Sequence, residues 1–213
     1  MMRICFVGAS NVGGQGDVTG KGWVGGLVDL SAAAGAPFVS YNLGVRGQTL
    51  TQITERGLVE CAPRLPKSKT GLIVLATGLN DLARIRNAPP RLSLEAAAEI
   101  LTNALPSIQA IAPLIVLGPT PVLESKMPML VGPKRVTVDL HNADITAVNT
   151  RYRAVCDMAK VAYLDLFETL RVDQAYRDGL DANDGLHTDA AGYRTMAEHV
   201  FQSAAWKQHG PAG

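Results

Sequence analysis

The stretch CFVGASNVGGQG, residues 5–16, runs from apolar, strand-forming side chains straight into a glycine-rich loop with a single serine. Two chemistries use such a loop. Successive backbone N–H groups can cradle a phosphate, or the turn can lift Ser10 out as a nucleophile. The rest of the chain has to choose between them.

Four further short apolar runs resemble the first: PFVSYNL (37–43), GLIVLA (71–76), PLIVLG (113–118) and VAYLDL (161–166), beside RICFVG (3–8). Most are almost continuously hydrophobic, as expected of parallel strands buried on both faces. Between them the spacing changes to threes and fours. Leu94, Ala97, Ala98, Leu101, Leu105 and Ile108 share one helical face, and Ile145, Val148, Tyr152, Val155 and Met158 another. Segments 23–34, 48–61 and 189–203 are the other predicted helices. Alternating strands and helices imply an open parallel sheet covered on both sides. No repeat or linker interrupts it, so residues 1–213 are expected to form one domain.

The composition excludes several classes of function. A 47% apolar and 18% charged chain is globular in character. Its formal net charge of +1, without long runs of either sign, offers no footprint for nucleic acid. No apolar run approaches the roughly 20 residues of a membrane span, and the N-terminal residues lack the pattern of a secretion signal. Cys5, Cys61 and Cys156 are an odd, scattered set that suggests neither a disulfide framework nor a zinc site. A cytoplasmic protein is the expectation, its oligomeric state open.

In a doubly wound sheet the ligand sits beyond the carboxyl ends of the strands. The loops that follow strands therefore carry the chemistry. A phosphate-binding P-loop requires Lys and Ser or Thr after its second glycine. Gly8 and Gly13 have the spacing, but Gly14 and Gln15 stand where those residues should be. A dinucleotide-type GKGWVG occurs at 20–25, well past the end of the first strand. A nucleophile instead needs a base, an orienting acid and oxyanion donors on other strand-end loops. Candidates for all of them are present: Gly44 after the second strand, Asn80 in GLND after the third, and Asp184 three residues before His187 in NDGLHTD. Each has an ordinary alternative. Ser10 suits a turn, Gly44 a positive φ, Asn80 a helix N-cap, Asp184 an Asx-turn and His187 a surface or capping position.

Taken in order, the four blocks resemble those of the SGNH hydrolases, also called the GDSL family of esterases and lipases. The resemblance covers nearly the whole chain. It implies a three-layer α/β/α sandwich with a flavodoxin-like five-stranded parallel sheet. It also implies carboxylic ester hydrolysis of a small-molecule substrate, with no cofactor and no metal. Ser10 would be the nucleophile, His187 the general base and then acid, and Asp184 the carboxylate orienting the imidazole. The Ser10 and Gly44 N–H groups and the Asn80 amide would form the oxyanion hole. The first block departs from the family pattern, with Ala9 where G-D-S-L has an aspartate. Asp181 is the nearest rival to Asp184. Asp81 would cap a helix or brace its loop, and Arg46 would touch substrate or be solvated. A metal site from Asp17, His141, Asp184 and His187 is conceivable, but their spacing does not favour it. A non-catalytic member of the family and a flavodoxin-like nucleotide- or phosphate-binding module are the alternatives. Short acyl groups, acetyl to about butyryl, are the expected substrates. The long Pro- and Met-rich segment 119–141 is a candidate lid or pocket wall, or equally a surface insertion.

Overall fold

The computed structural model describes residues 1–67 and 70–212. In chain order it contains β1 (Arg3–Gly8), α1 (Gly22–Ala33), β2 (Val39–Gly44), α2 (Leu50–Arg64), β3 (Gly71–Ala76), α3 (Leu79–Leu82), β4 (Arg84–Ile85) and α4 (Leu94–Gln109). Then follow β5 (Leu114–Leu117), β6 (Met129–Val131), β7 (Val136–Asp139), α5 (Asn142–Ala159), β8 (Ala162–Leu164), α6 (Phe167–Val172), α7 (Gln174–Ala182), α8 (Ala190–Gln202) and α9 (Ala204–His209).

Alternation along the strands explains why they read as unbroken apolar runs. In β1, Cys5 and Val7 point to one side of the sheet, Ile4 and Phe6 to the other. In β3, Ile73 and Leu75 oppose Leu72 and Val74; in β5, Leu114 and Val116 oppose Ile115 and Leu117. Two apolar cores result. One lies beneath α2, α4 and α5, with Leu101, Leu105, Val148 and Tyr152. The other lies beneath α1 and α8, with Trp23, Leu27, Tyr193 and Met196. The order β2-β1-β3-β5-β8, all parallel, is that of a five-stranded flavodoxin-like sheet. β2 lies at one edge and is only partly buried, which fits its more mixed sequence. Among the described residues no helix is long and apolar enough to cross a membrane.

Segment 119–141 does not form a lid. It makes a 3-10 turn at Glu124–Lys126 and then the β6–β7 hairpin, which pairs with β4 in a second, three-stranded antiparallel sheet. Val122, Met129 and Val138 are buried in the first core. Met129 and Val138 pack this hairpin onto the molecule, while Leu130 is half exposed.

Asp81 of α3 is wholly buried and its Oδ1 accepts the Leu50 N–H at 2.8 Å, at the start of α2. It thus braces a helix N-terminus, where a negative charge is favoured, as one of its two expected roles required. Its other oxygen is buried without a partner among the described residues. Burial pushes its pKa up to about 6, against the opposing pull of the Leu50 N–H and the Arg91 charge. The folded state therefore keeps a proton that the unfolded chain has already lost, so Asp81 favours folding below its ordinary pKa. That contribution is lost as pH rises through about 6. Asp81→Asn keeps an oxygen for Leu50 but cannot ionise. Urea unfolding should show the variant gaining stability over the parent by up to about 3 kcal/mol between pH 4 and 7; a pH-independent difference would contradict the assignment.

Candidate active site

β1 and β3 are neighbours, yet the chain leaves β1 toward β2 on one side and leaves β3 toward β5 on the other. That reversal is where a doubly wound sheet opens a crevice, and Ser10 lies directly beyond β1 there. Its loop is wound by backbone hydrogen bonds from Gly13 to Ala9 (3.1 Å) and from Gln15 to Ser10 (3.0 Å). Tyr193 of α8 donates its hydroxyl to the Gln15 carbonyl at 2.7 Å, and Asn11 donates to Thr120 Oγ1 at 3.3 Å. These bonds hold the loop with Ala9 in place of an acidic side chain.

His187 and Asp184 occupy the loop between α7 and α8. His187 Nε2 lies 2.8 Å from Ser10 Oγ, and His187 Nδ1 lies 2.7 Å from Asp184 Oδ2. Asp184 is also an Asx-turn residue: its Oδ1 accepts the N–H groups of Leu186 at 3.0 Å and His187 at 2.8 Å. The two readings of Asp184 hold together, because each oxygen does one task. Burial alone would raise the Asp184 pKa. The bond from the His187 ring, the imidazole charge and the two backbone donors outweigh it and hold the carboxyl at about 2. Asp181 points elsewhere, its carboxylate 3.4 Å from the Lys126 ammonium. Ser10 and His187 are only 8% and 4% exposed, so the Ser10–His187 bond is largely shielded from water.

The expected oxyanion donors are not equally placed. Asn80 gives one amide hydrogen to the Gln48 carbonyl at 3.0 Å, which fixes the carboxamide while leaving its second hydrogen. Asn80 and Ser10 line a cavity of about 40 Å³ together with Thr77, Gly78, Pro119 and Leu186. Gly44 does not reach this cavity. Its N–H donates to Asn42 Oδ1 at 3.0 Å, and Asn42 in turn donates to the Val12 carbonyl at 2.7 Å. A Cβ at Gly44 would sit 2.2 Å from the Gly13 nitrogen. Glycine is required here by the packing of the Ser10 loop, a different reason from a clear approach for a carbonyl. Of segment 119–141, Pro119 and Thr120 line the cavity. Thr120 and Gln48 are site residues that sequence reasoning missed. Thr120 was accessible by its position just past β5, whereas nothing in the sequence marked Gln48. Arg46 is exposed.

Against the phosphate-cradle alternative, the first-loop N–H groups of Gly13, Gly14 and Gln15 already donate to the Ala9, Asn11 and Ser10 carbonyls, and the dinucleotide-type segment at 20–25 is occupied as well. The Asp17 carboxylate already accepts the N–H groups of Gly22, at 2.8 Å, and Thr19, at 2.7 Å, at the start of α1. Burial works to raise its pKa, but these bonds and that from the Thr19 hydroxyl prevail and lower it. An anion arriving at GKGWVG would face a fixed negative charge. His141 pairs with Asp139 at 3.1 Å. Among the described residues no three His, Cys, Asp or Glu side chains converge on a metal position.

Comparison with known proteins agrees with this architecture. The family model of the GDSL-like lipase/acylhydrolase family matches residues 6–195, and the chain belongs to that family. A lipase/acylhydrolase from Enterococcus faecalis superposes with a TM-score of 0.70 at 19% identity, over 100% of both chains. A member of the lipolytic G-D-S-L family from Veillonella parvula gives 0.70 at 19%, over 96% of this chain and 98% of its own. A mutant of an acetyl-xylooligosaccharide esterase from Geobacillus gives 0.67 at 16%, over 94% and 92%. At these identities the likeness is one of fold. A search of curated protein sequences returns no match.

The Gly44 packing has a direct consequence for stability. Gly44→Ala must push the Gly13 backbone away and should cost about 1–3 kcal/mol in denaturant unfolding. A variant as stable as the parent would mean that the loops after β1 and β2 are not in this close contact.

Proposed function

We propose that the chain is a single-domain carboxylic ester hydrolase that forms an acyl-enzyme on Ser10. The observation that carries this reading is the continuous path of hydrogen bonds from Asp184 Oδ2 through His187 to Ser10 Oγ, 2.7 and 2.8 Å long. Ser10 Oγ attacks the ester carbonyl as its proton passes to His187 Nε2. Asp184 holds the imidazole with Nε2 free to accept and stabilises the imidazolium that results. The negative charge on the carbonyl oxygen is met by the Ser10 N–H and the free amide hydrogen of Asn80. Gly44 would contribute its N–H as third donor once the Asn42 carboxamide gives way. Collapse expels the alcohol, which takes the proton from His187. Water, deprotonated by the same imidazole, then attacks the acyl-serine and releases the acid and Ser10. Each step uses only water and groups of this chain.

Acyl size follows from the cavity beside Ser10. Its volume is small, about 40 Å³. A space of this size favours short acyl groups, acetyl to about butyryl, over long chains. The Geobacillus relative, an acetyl-xylooligosaccharide esterase, is in keeping with that size. Three buried free thiols, Cys5, Cys61 and Cys156, suit a reducing compartment such as the cytoplasm.

Ser10→Ala should abolish p-nitrophenyl acetate hydrolysis and labelling by a fluorophosphonate serine probe, with the fold intact by circular dichroism. Activity within about tenfold of the parent would refute the nucleophile. Asn80→Ala should lower kcat by roughly 10²–10³ at nearly constant KM; an effect on KM alone would make Asn80 a substrate-binding residue instead. Across p-nitrophenyl esters of rising acyl length, kcat/KM should be highest from acetyl to butyryl, and best activity on octanoyl or longer esters would refute the short-chain preference.

A further inference from the structure

The carboxylate that orients His187 sits on a loop whose own bonds only partly fix it. Gly185 donates to the Leu180 carbonyl at 3.0 Å and Asn183 to the Gly179 carbonyl at 3.2 Å, both within the end of α7. On the Ser10 side, Asn183 Nδ2 reaches the Gly16 carbonyl at 3.2 Å. The remaining carbonyls around Asp184 are held from outside, by the turn at 123–126. Leu123 donates its N–H to the Gly185 carbonyl at 2.8 Å. Lys126 Nζ donates to the Asn183 carbonyl at 3.0 Å and to the Asp181 carbonyl, and lies 3.4 Å from the Asp181 carboxylate. The carbonyls immediately before and after Asp184 are thus both clamped by one short segment.

The contact is close as well as polar. Gly185 has φ +83°, and a Cβ there would meet the Lys126 Cβ at 2.7 Å, so only glycine lets the loop approach so far. The clamping segment is itself anchored. The Asn142 side chain makes both bonds of a backbone-like pair with Val122, at 3.0 and 2.9 Å, and the Asn142 N–H donates to Glu124 Oε1 at 2.8 Å. Residues 122–126 form a strut from the N-terminus of α5 to the loop that carries Asp184 and His187.

We propose that Lys126 is a positioning residue for the ester hydrolysis proposed above, and the inference rests on that reading. Its ammonium gathers the Asp181 and Asn183 carbonyls and so keeps Asp184 Oδ2 in line with His187 Nδ1. The Asx-turn bonds of Asp184 shape the turn internally, but they do not set where the turn stands against the sheet. A charged donor suits this task, since bonds from an ionised group are the stronger ones. Lys126 touches neither Ser10 nor the cavity, so it acts through Asp184 alone.

The test is steady-state kinetics on p-nitrophenyl acetate for Lys126→Met, Lys126→Gln, Lys126→Arg and, as reference, Asp184→Asn. Misplacing a catalytic group by about 1 Å costs up to roughly 10²-fold. Lys126→Met should accordingly lower kcat by about tenfold or more with KM within about twofold, and should slow fluorophosphonate labelling of Ser10 in proportion. Lys126→Arg, which keeps a charged donor for both carbonyls, should stay within about threefold of the parent, and Lys126→Gln should fall between. Should Lys126→Met fail to fold, the Arg and Gln variants still supply the ordering. A merely structural lysine would lower the melting temperature and leave kcat untouched. A folded Met or Gln variant with parental kcat, beside an Asp184→Asn enzyme that has collapsed, would overturn the role of Lys126 alone. An Asp184→Asn enzyme with parental kcat would overturn the orienting role of Asp184, and the role of Lys126 with it, whereas a parent enzyme without esterase activity would overturn the hydrolase reading.

Discussion

The bond between Ser10 Oγ and His187 Nε2 joins residues 177 positions apart, and the rest of the molecule is arranged so that it can form. Ser10 is delivered by the end of β1, at the edge of the crevice that the strand order opens between β1 and β3. His187 arrives from the opposite end of the chain, on the loop that leads into α8, and α8 packs against α1 beneath the same face of the sheet. The parallel sheet makes this possible, because every crossover helix returns the chain so that each strand ends at the same edge. Asn80 after β3 and Thr120 after β5 are brought to the crevice by that one rule.

The site also depends on backbone contacts too close for side chains. Gly44 lies against Gly13, and Gly185 lies against Lys126. The first contact sets the loop that carries Ser10, the second the loop that carries Asp184. Both loops are irregular and would be mobile if held only by their own bonds. They are fixed instead by neighbours distant in sequence: Tyr193 and Asn42 on one side, Leu123 and Lys126 on the other. Preorganisation of this kind keeps a hydrogen-bonded path in place before substrate arrives.

The sheet was legible because burial on both faces leaves a plain mark: five short apolar runs, with helical spacing between them. The extents of β1 and β3 match the runs at 3–8 and 71–76 to the residue. The Ser10 and Asn80 positions were legible because each lies just past a strand end, in a loop and in the short α3 respectively, and Asp184 and His187 because of their three-residue spacing ahead of α8. Gly44 was singled out as a backbone donor, and its close packing against Gly13 adds a need for glycine that the sequence did not show. The short elements were not legible. α6 and α7 have six and nine residues, too few turns to show a period. β4, β6 and β7 are strands of two to four residues, β4 pairing with β7 only across the fold. Segment 119–141 is long and rich in Pro and Met, which left lid, pocket wall and surface insertion equally open; the partners of its buried residues are core residues remote in the chain. Lys126 is one of 20 basic residues, and only the fold places it beside the Asp184 loop.

The central claim is that Ser10 forms a covalent acyl intermediate under the control of Asp184 and His187. It is tested most directly by acid-quenching the enzyme during turnover of p-nitrophenyl acetate and mapping the adduct by peptide mass spectrometry. The account predicts one acetyl group on the peptide that contains Ser10, absent from Ser10→Ala and accumulating early in the time course. Hydrolysis that proceeds with no adduct, or with the acetyl group on another residue, would contradict it.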